Sequence, residues 1–220
     1  MKRILVIVFL LGALGIIGVL PALATPIAEL NDLARYFPAD TPIFAAVRTD
    51  DAFFSELDGL VAKVAAALPP GTIPPVTIVD ALDMALADAN PPMSFQEDIR
   101  PWLGDTIAFG VLEIPAEDGA ATRMLRRRTF DGEAPVLVAV AITDRAAVTD
   151  FFVNGMTEAD VEFERTDEAD FTVITPSDSS VEFAKETPVI VIRDDALFVT
   201  NQADSATTLP DGNLGGCGTV

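Results

Sequence analysis

The sequence predicts an α+β fold built on an antiparallel sheet, and three observations carry that prediction. Two segments, Pro42 to Leu57 and Pro135 to Phe152, follow one order: an apolar run, a Thr-Asp step, then a helical stretch with paired phenylalanines. Beyond Met156 the pattern changes to short apolar runs of period two separated by turn residues, the signature of an antiparallel meander. Half of the 220 residues are hydrophobic, enough to close one good core over these elements. The two strand-to-helix units suggest a pseudo-duplicated architecture.

Met1 to Ala24 has the layout of an export signal. Lys2 and Arg3 supply the positive start, Ile4 to Leu20 is apolar, and Pro21 breaks the run before Ala22-Leu23-Ala24. Cleavage between Ala24 and Thr25 is expected, which makes 1–24 a signal peptide and 25–201 the α+β domain. An uncleaved anchor formed by residues 4–20 is the alternative, because the run approaches the length of a spanning helix. The one cysteine, Cys217, lies near the other end, so lipoprotein processing after the leader is excluded.

Ile27 to Phe37 reads as a short helix with Ile27, Leu30, Leu33 and Ala34 on one side, stopped by Pro38. Ile43 to Arg48 fits a buried strand. Phe53, Leu57, Leu60, Val61, Val64 and Leu68 recur at helical spacing and are expected to face inward, with Asp50 or Asp51 as cap and Pro69-Pro70-Gly71 as stop. A second helix is expected over Thr77 to Ala89 with Ile78, Leu82, Ala85, Leu86 and Ala89 inward. Ser94 and Glu97 have capping-box spacing, so a short turn should start there and end at Pro101.

Trp102 and Leu103 should pack on the core, Gly104-Asp105 turn the chain, and Thr106 to Ile114 form a strand. Pro115 to Glu133 is polar and holds the basic cluster Arg123, Arg126, Arg127 and Arg128, read as a solvated hairpin tip or an anion clamp. Pro135 to Ile142 is strand-like. Thr143-Asp144 caps a helix with Val148, Phe151, Phe152 and Gly155 on one side. The meander then takes Val161 and Phe163, Phe171 and Val173, Val181 and Phe183, Val189 to Ile192, and Leu197 to Val199. Residues 202–220 have no periodic face to bury and read as a disordered tail or a point of truncation, which would leave the C-terminal part of the sheet incomplete.

The composition bounds the chemistry. Acidic residues number 34 against 14 basic, for a formal charge of -20, so nucleic acid is excluded as a nonspecific partner and membrane contact is expected only through an uncleaved N-terminal segment. Histidine is absent, which removes Ser-His-Asp and Cys-His catalysis and His-bearing zinc sites. No nucleophile elbow, phosphate loop or Ser-x-x-Lys occurs. The glycines at 212, 215, 216 and 218 lack the strand and helix a dinucleotide site needs.

Asp50-Asp51 read as helix caps rather than an acid and base couple. Asp167, Glu168 and Asp170, or Asp194 and Asp195, are the oxygen clusters that could draw calcium, but neither follows the spacing of a calcium loop. No catalytic residue, metal ligand or cofactor is assigned.

Leu33-Ala34-Arg35-Tyr36-Phe37-Pro38-Ala39-Asp40-Thr41-Pro42 together with Pro101-Trp102-Leu103-Gly104-Asp105 resembles a family of exported bacterial proteins catalogued as a domain of unknown function. In that family a P-x-D-T segment precedes the first strand and a PWLG segment precedes a strand containing glycine. The resemblance runs from Leu30 to Thr200, implies export and an α+β body, and carries no catalytic or binding residue. Family members continue past the point where this chain stops. The expected function is that of a secreted or surface-held nonenzymatic protein with an unknown protein or envelope partner. A carboxylate-dependent extracytoplasmic hydrolase and a small-ligand module are the alternatives.

Overall fold

The computed structural model describes residues 32–69, 76–88, 92–113, 134–177 and 188–201. The leader with Ala24 and Thr25, the arginine cluster, the run at Val181 and Phe183, and the tail after 201 lie outside the described residues. The chain order is β1 (Ile43–Arg48), α1 (Asp51–Ala67), α2 (Ile78–Ala87), a single π-type turn (Phe95–Ile99), β2 (Leu103–Val111), β3 (Val136–Ile142), α3 (Arg145–Glu158), β4 (Phe163–Asp167), β5 (Phe171–Pro176), β6 (Val189–Arg193) and β7 (Ala196–Thr200).

The strands form one seven-stranded sheet in the order β1-β2-β3-β7-β6-β5-β4, and every neighbouring pair is antiparallel. The protein is therefore α+β, as the pattern predicts. β1 and β3 are each antiparallel to β2, so they run the same way. Each feeds a helix capped by an aspartate: Asp50 accepts from the Phe53 amide at 2.9 Å and Asp144 from the Ala147 amide at 3.0 Å. Phe54 of α1 and Phe152 of α3 enter one core cluster, so both helices lie on the same face. The two units then diverge. β2 returns directly beside β1, whereas β4, β5 and β6 intervene before β7 closes against β3.

Alternation along the strands sorts side chains onto two faces. Val138, Val140, Ile190, Ile192, Leu197 and Val199 meet the helices and Trp102. Leu137, Ala139, Val189, Val191, Ala196 and Phe198 point to the other face, where Leu33, Tyr36 and Phe37 pack on them. Both faces are apolar, which is why β3, β6 and β7 read as nearly unbroken hydrophobic runs.

The described part of the first helix is one turn: the Tyr36 amide donates to the Leu33 carbonyl and the Phe37 amide to that of Ala34. It presents Tyr36 edge-on to Phe198, with ring centroids 4.8 Å apart.

Three of the larger expectations need correction. β1 is not a buried strand but one edge of the sheet, and Ala45 and Phe44 are exposed. A strand with one neighbour cannot be covered as a central one is, and which strands pair is a long-range outcome that apolar content does not encode. Gly104-Asp105 do not turn the chain but belong to β2, which accommodates them by a register shift against β3 between Leu103 and Ile107. A Cβ at Gly104 would sit 2.8 Å from the Ala141 carbonyl carbon, so glycine is what lets the bulged strand approach β3. Gly110 has a matching role farther along β2, where an added Cβ would fall 2.6 Å from the Phe37 ring.

The third correction concerns α1. The helix and its Asp50 cap form as predicted, but among its residues only Phe54 is fully buried. Leu60, Val64 and Leu68, expected inward, are exposed. α2 fits better, with the Thr77 and Asp80 capping box in place and Leu86 buried, although Ala85 faces outward and Ala89 lies outside the described residues.

Candidate functional site

The acidic residues come first, because chemistry without histidine would have to use them. Several have structural duties at the start of helices, where free amides and the helix dipole favour negative charge. Asp50 and Asp144 are caps, and Asp80 closes the Thr77 box. Asp58 on α1 accepts from the Ile78 amide at 2.7 Å, tying the start of α2 to the middle of α1. Asp83 on α2 accepts from the Phe95 amide and from the Ser94 hydroxyl, and Asp98 accepts from the Ser94 amide at 2.7 Å. The Ser94 hydroxyl in turn accepts from the Glu97 amide, but Asp98 rather than Glu97 returns the bond expected of a capping box.

The pairs singled out in the sequence are engaged in the same way. Asp50 binds both guanidinium nitrogens it meets on Arg48, at 2.6 and 2.8 Å, while Asp51 takes Arg100. Burial pushes the Asp50 carboxyl up, but the Arg48 guanidinium and the Phe53 amide outweigh it and hold the group below its ordinary range. That is the reverse of what a general acid needs.

Asp167 takes Arg165 and the Thr172 hydroxyl, Asp194 takes Arg145, and Asp195 takes Arg35 and the Tyr36 hydroxyl. Arg165 and Thr172 together hold the Asp167 carboxyl below its ordinary range. Among the described residues no three metal-ligating side chains converge. Every buried side-chain polar atom described here has a hydrogen-bond partner, so none is left aimed at an absent ligand.

The stretch around Trp102 is a structural hub. Its indole N–H donates to the Asp98 carbonyl at 2.6 Å, and its ring meets Phe151 at 5.4 Å. The Thr49 hydroxyl donates to the Gly104 carbonyl at 2.7 Å, and Arg100 reaches back to the Thr49 carbonyl and to Asp51. β1, α1 and β2 are thereby locked at one corner. The buried polar atoms of the hub are all hydrogen-bonded.

The P-x-D-T segment has its own role: Thr41 donates to the Pro38 carbonyl, and Phe37 before it lies on Gly110. The segment therefore packs on the far end of the strand that Leu103 and Gly104 begin. The profile of a family described as protein of unknown function, DUF3352, matches residues 4–206. The chain belongs to that family. No curated protein and no solved structure matches it.

One apolar face is open as well. On α1 the residues Phe53, Leu57, Leu60, Val61, Val64 and Leu68 share one face. Its first turns sit over the core through Phe54, which meets Phe95 at 5.7 Å between ring centroids. Its later turns do not. Leu60 is 37% exposed, Val64 46% and Leu68 40%.

α1 is held by Phe54 in the core and by Asp58, bonded to the start of α2, and Leu60, Val64 and Leu68 lie beyond both along the chain. Sequence reading found every residue of this face but assigned all of it to the core. Among the described residues no helix is long and apolar enough to cross a membrane.

Proposed function

We propose that this DUF3352 member is an exported, nonenzymatic protein that acts by contact with another protein or a component of the cell envelope, presented on the outward half of α1. The observation that carries this reading is the exposure of Leu60, Val64 and Leu68 on a helix whose first half is anchored in the core. A soluble protein rarely leaves several large apolar side chains in line on one rigid element unless something covers them. The engagement of the Asp50, Asp51, Asp167, Asp194 and Asp195 carboxylates in ion pairs fits a body built for stability rather than proton transfer.

The leader at 1–24 supports an extracytoplasmic location, with Ala24 and Thr25 flanking the cut or residues 4–20 retained as an anchor. A photo-crosslinking side chain at position 64 tests the contact in cells. Adducts are expected from position 64 and not from Glu164 on the opposite sheet edge, whereas equal labelling at both would refute a dedicated face. Turnover of a glycoside by the purified chain, abolished by Asp50→Asn, would replace the reading with a carboxylate hydrolase.

A further inference from the structure

The exposed half of α1 is complementary to itself, and we infer that its partner is a second copy of this chain, packed antiparallel through α1. The inference rests on the contact reading above and adds the identity of the partner. Phe53, Leu57, Leu60 and Val64 are spaced four, three and four apart, the seam spacing of two helices that pack at a shallow angle. Phe53 and Leu57 are half-buried while Leu60 and Val64 are exposed, so the seam is accessible along one side.

The charges that flank this seam decide the geometry. Glu56 and Lys63 are both exposed and stand one heptad apart on the same side of the helix. In a two-fold antiparallel pair that side faces its own copy, which sets Glu56 of one chain against Lys63 of the other, twice. The same register sets Phe53 against Val64 and Leu57 against Leu60.

A parallel pair offers nothing comparable. There Glu56 would meet Val61 and Lys63 would meet Leu68, leaving both charges without partners. The opposite flank holds Asp58 and Phe54, which are already engaged with α2 and the core. A two-fold interface must be complementary to itself residue by residue, and this face meets that condition in one orientation. The seam is short and each copy carries a charge of -20, so the dimer is weak and needs ordinary ionic strength to screen the two bodies from one another.

Sedimentation velocity on the full chain, purified as its host processes it and run at about 0.15 M salt, reads the equilibrium directly. A reversible dimer is expected. Val64→Asp should leave a monomer with unchanged Trp102 fluorescence. Glu56→Lys and Lys63→Glu should each weaken association roughly five- to tenfold, because each turns two attractive pairs into repulsive ones.

The decisive variant carries both reversals. It has the native net charge and should return to within about twofold of the native affinity, since the pairs are restored with their signs exchanged. Single reversals without effect, or a double variant as weak as the singles, would overturn the antiparallel pairing. A chain that stays monomeric yet still crosslinks a different protein from position 64 sinks the self-association and leaves the contact reading standing. A monomer that crosslinks nothing from position 64 sinks both.

Discussion

Val140 and Leu197 in the middle of the sheet and Leu60 and Val64 on α1 are residues of the same kind, placed on regular elements with the same regard for period. The first two are wholly buried and the second two are among the most exposed large side chains described. Period decides which side of an element is apolar, and so both regions look like core when read as pattern. Whether the apolar side is covered depends on neighbours distant in sequence. β3 has β2 on one side and β7 on the other and an apolar cluster on each face, whereas α1 is held through Phe54 and Asp58 and leaves its later turns open. The protein therefore has one face that hydrophobic burial stabilises and another that the same physics leaves available.

Truncation should separate the two regions by the widest margin. Phe198→Ala removes a fully buried ring that packs edge-on against Tyr36, and a loss of about 3–5 kcal/mol is expected in denaturant unfolding. Val64→Ala removes a side chain already half in water and should cost under about 0.5 kcal/mol in the monomer. Comparable losses at both positions would mean that the end of α1 is covered after all.

The glycines of β2 sharpen the contrast within the sheet. Alanine at Gly104 would press on the backbone of Ala141, which cannot turn aside, and alanine at Gly110 would press on the Phe37 ring, which can. Each should destabilise by about 1–3 kcal/mol, the usual range for overpacking. Phe37→Ala should relieve part of the Gly110→Ala cost and none of the Gly104→Ala cost, a coupling that a double-mutant cycle measures. Strict additivity for Gly110 and Phe37 would show that the ring does not rest on β2.

Much of the fold was legible because its signals are local. Asp50 and Asp144 cap the helices they were expected to cap, and β3, β6 and β7 occupy the apolar runs that announced them. What could not be read depends on partners far along the chain. Gly104-Asp105 looks like a turn until β3 is beside it and the bulge absorbs the irregularity. Tyr36 gives no sign in sequence that it will meet Asp195, 159 residues away. The candidate contact face was visible as residues and misjudged as environment, since nothing in a helical period states which neighbours will cover it.

The smallest effect concerns that distant pair and tests whether the covered face stays covered. Tyr36 is the only tyrosine, so absorbance of the phenolate reports on it alone. Burial raises its pKa, the hydroxyl's bond to the Asp195 carboxylate adds to this, and the Arg35 guanidinium opposes it without prevailing. The folded protein therefore holds the phenolic proton more tightly than the unfolded chain does, whose tyrosine titrates near 10. Stability from this source is complete below about pH 10 and declines as pH rises through the folded value, because the unfolded state then releases the proton first. Unfolding free energy should fall with pH on the alkaline side, and Tyr36→Phe should flatten that slope. Asp195→Asn keeps an acceptor but removes the charge, so it should bring phenol ionisation to lower pH. Ionisation at the free-tyrosine value in the native protein would instead show that the segment bearing Tyr36 lifts from the sheet, exposing Phe198 and making the second face as open as the end of α1.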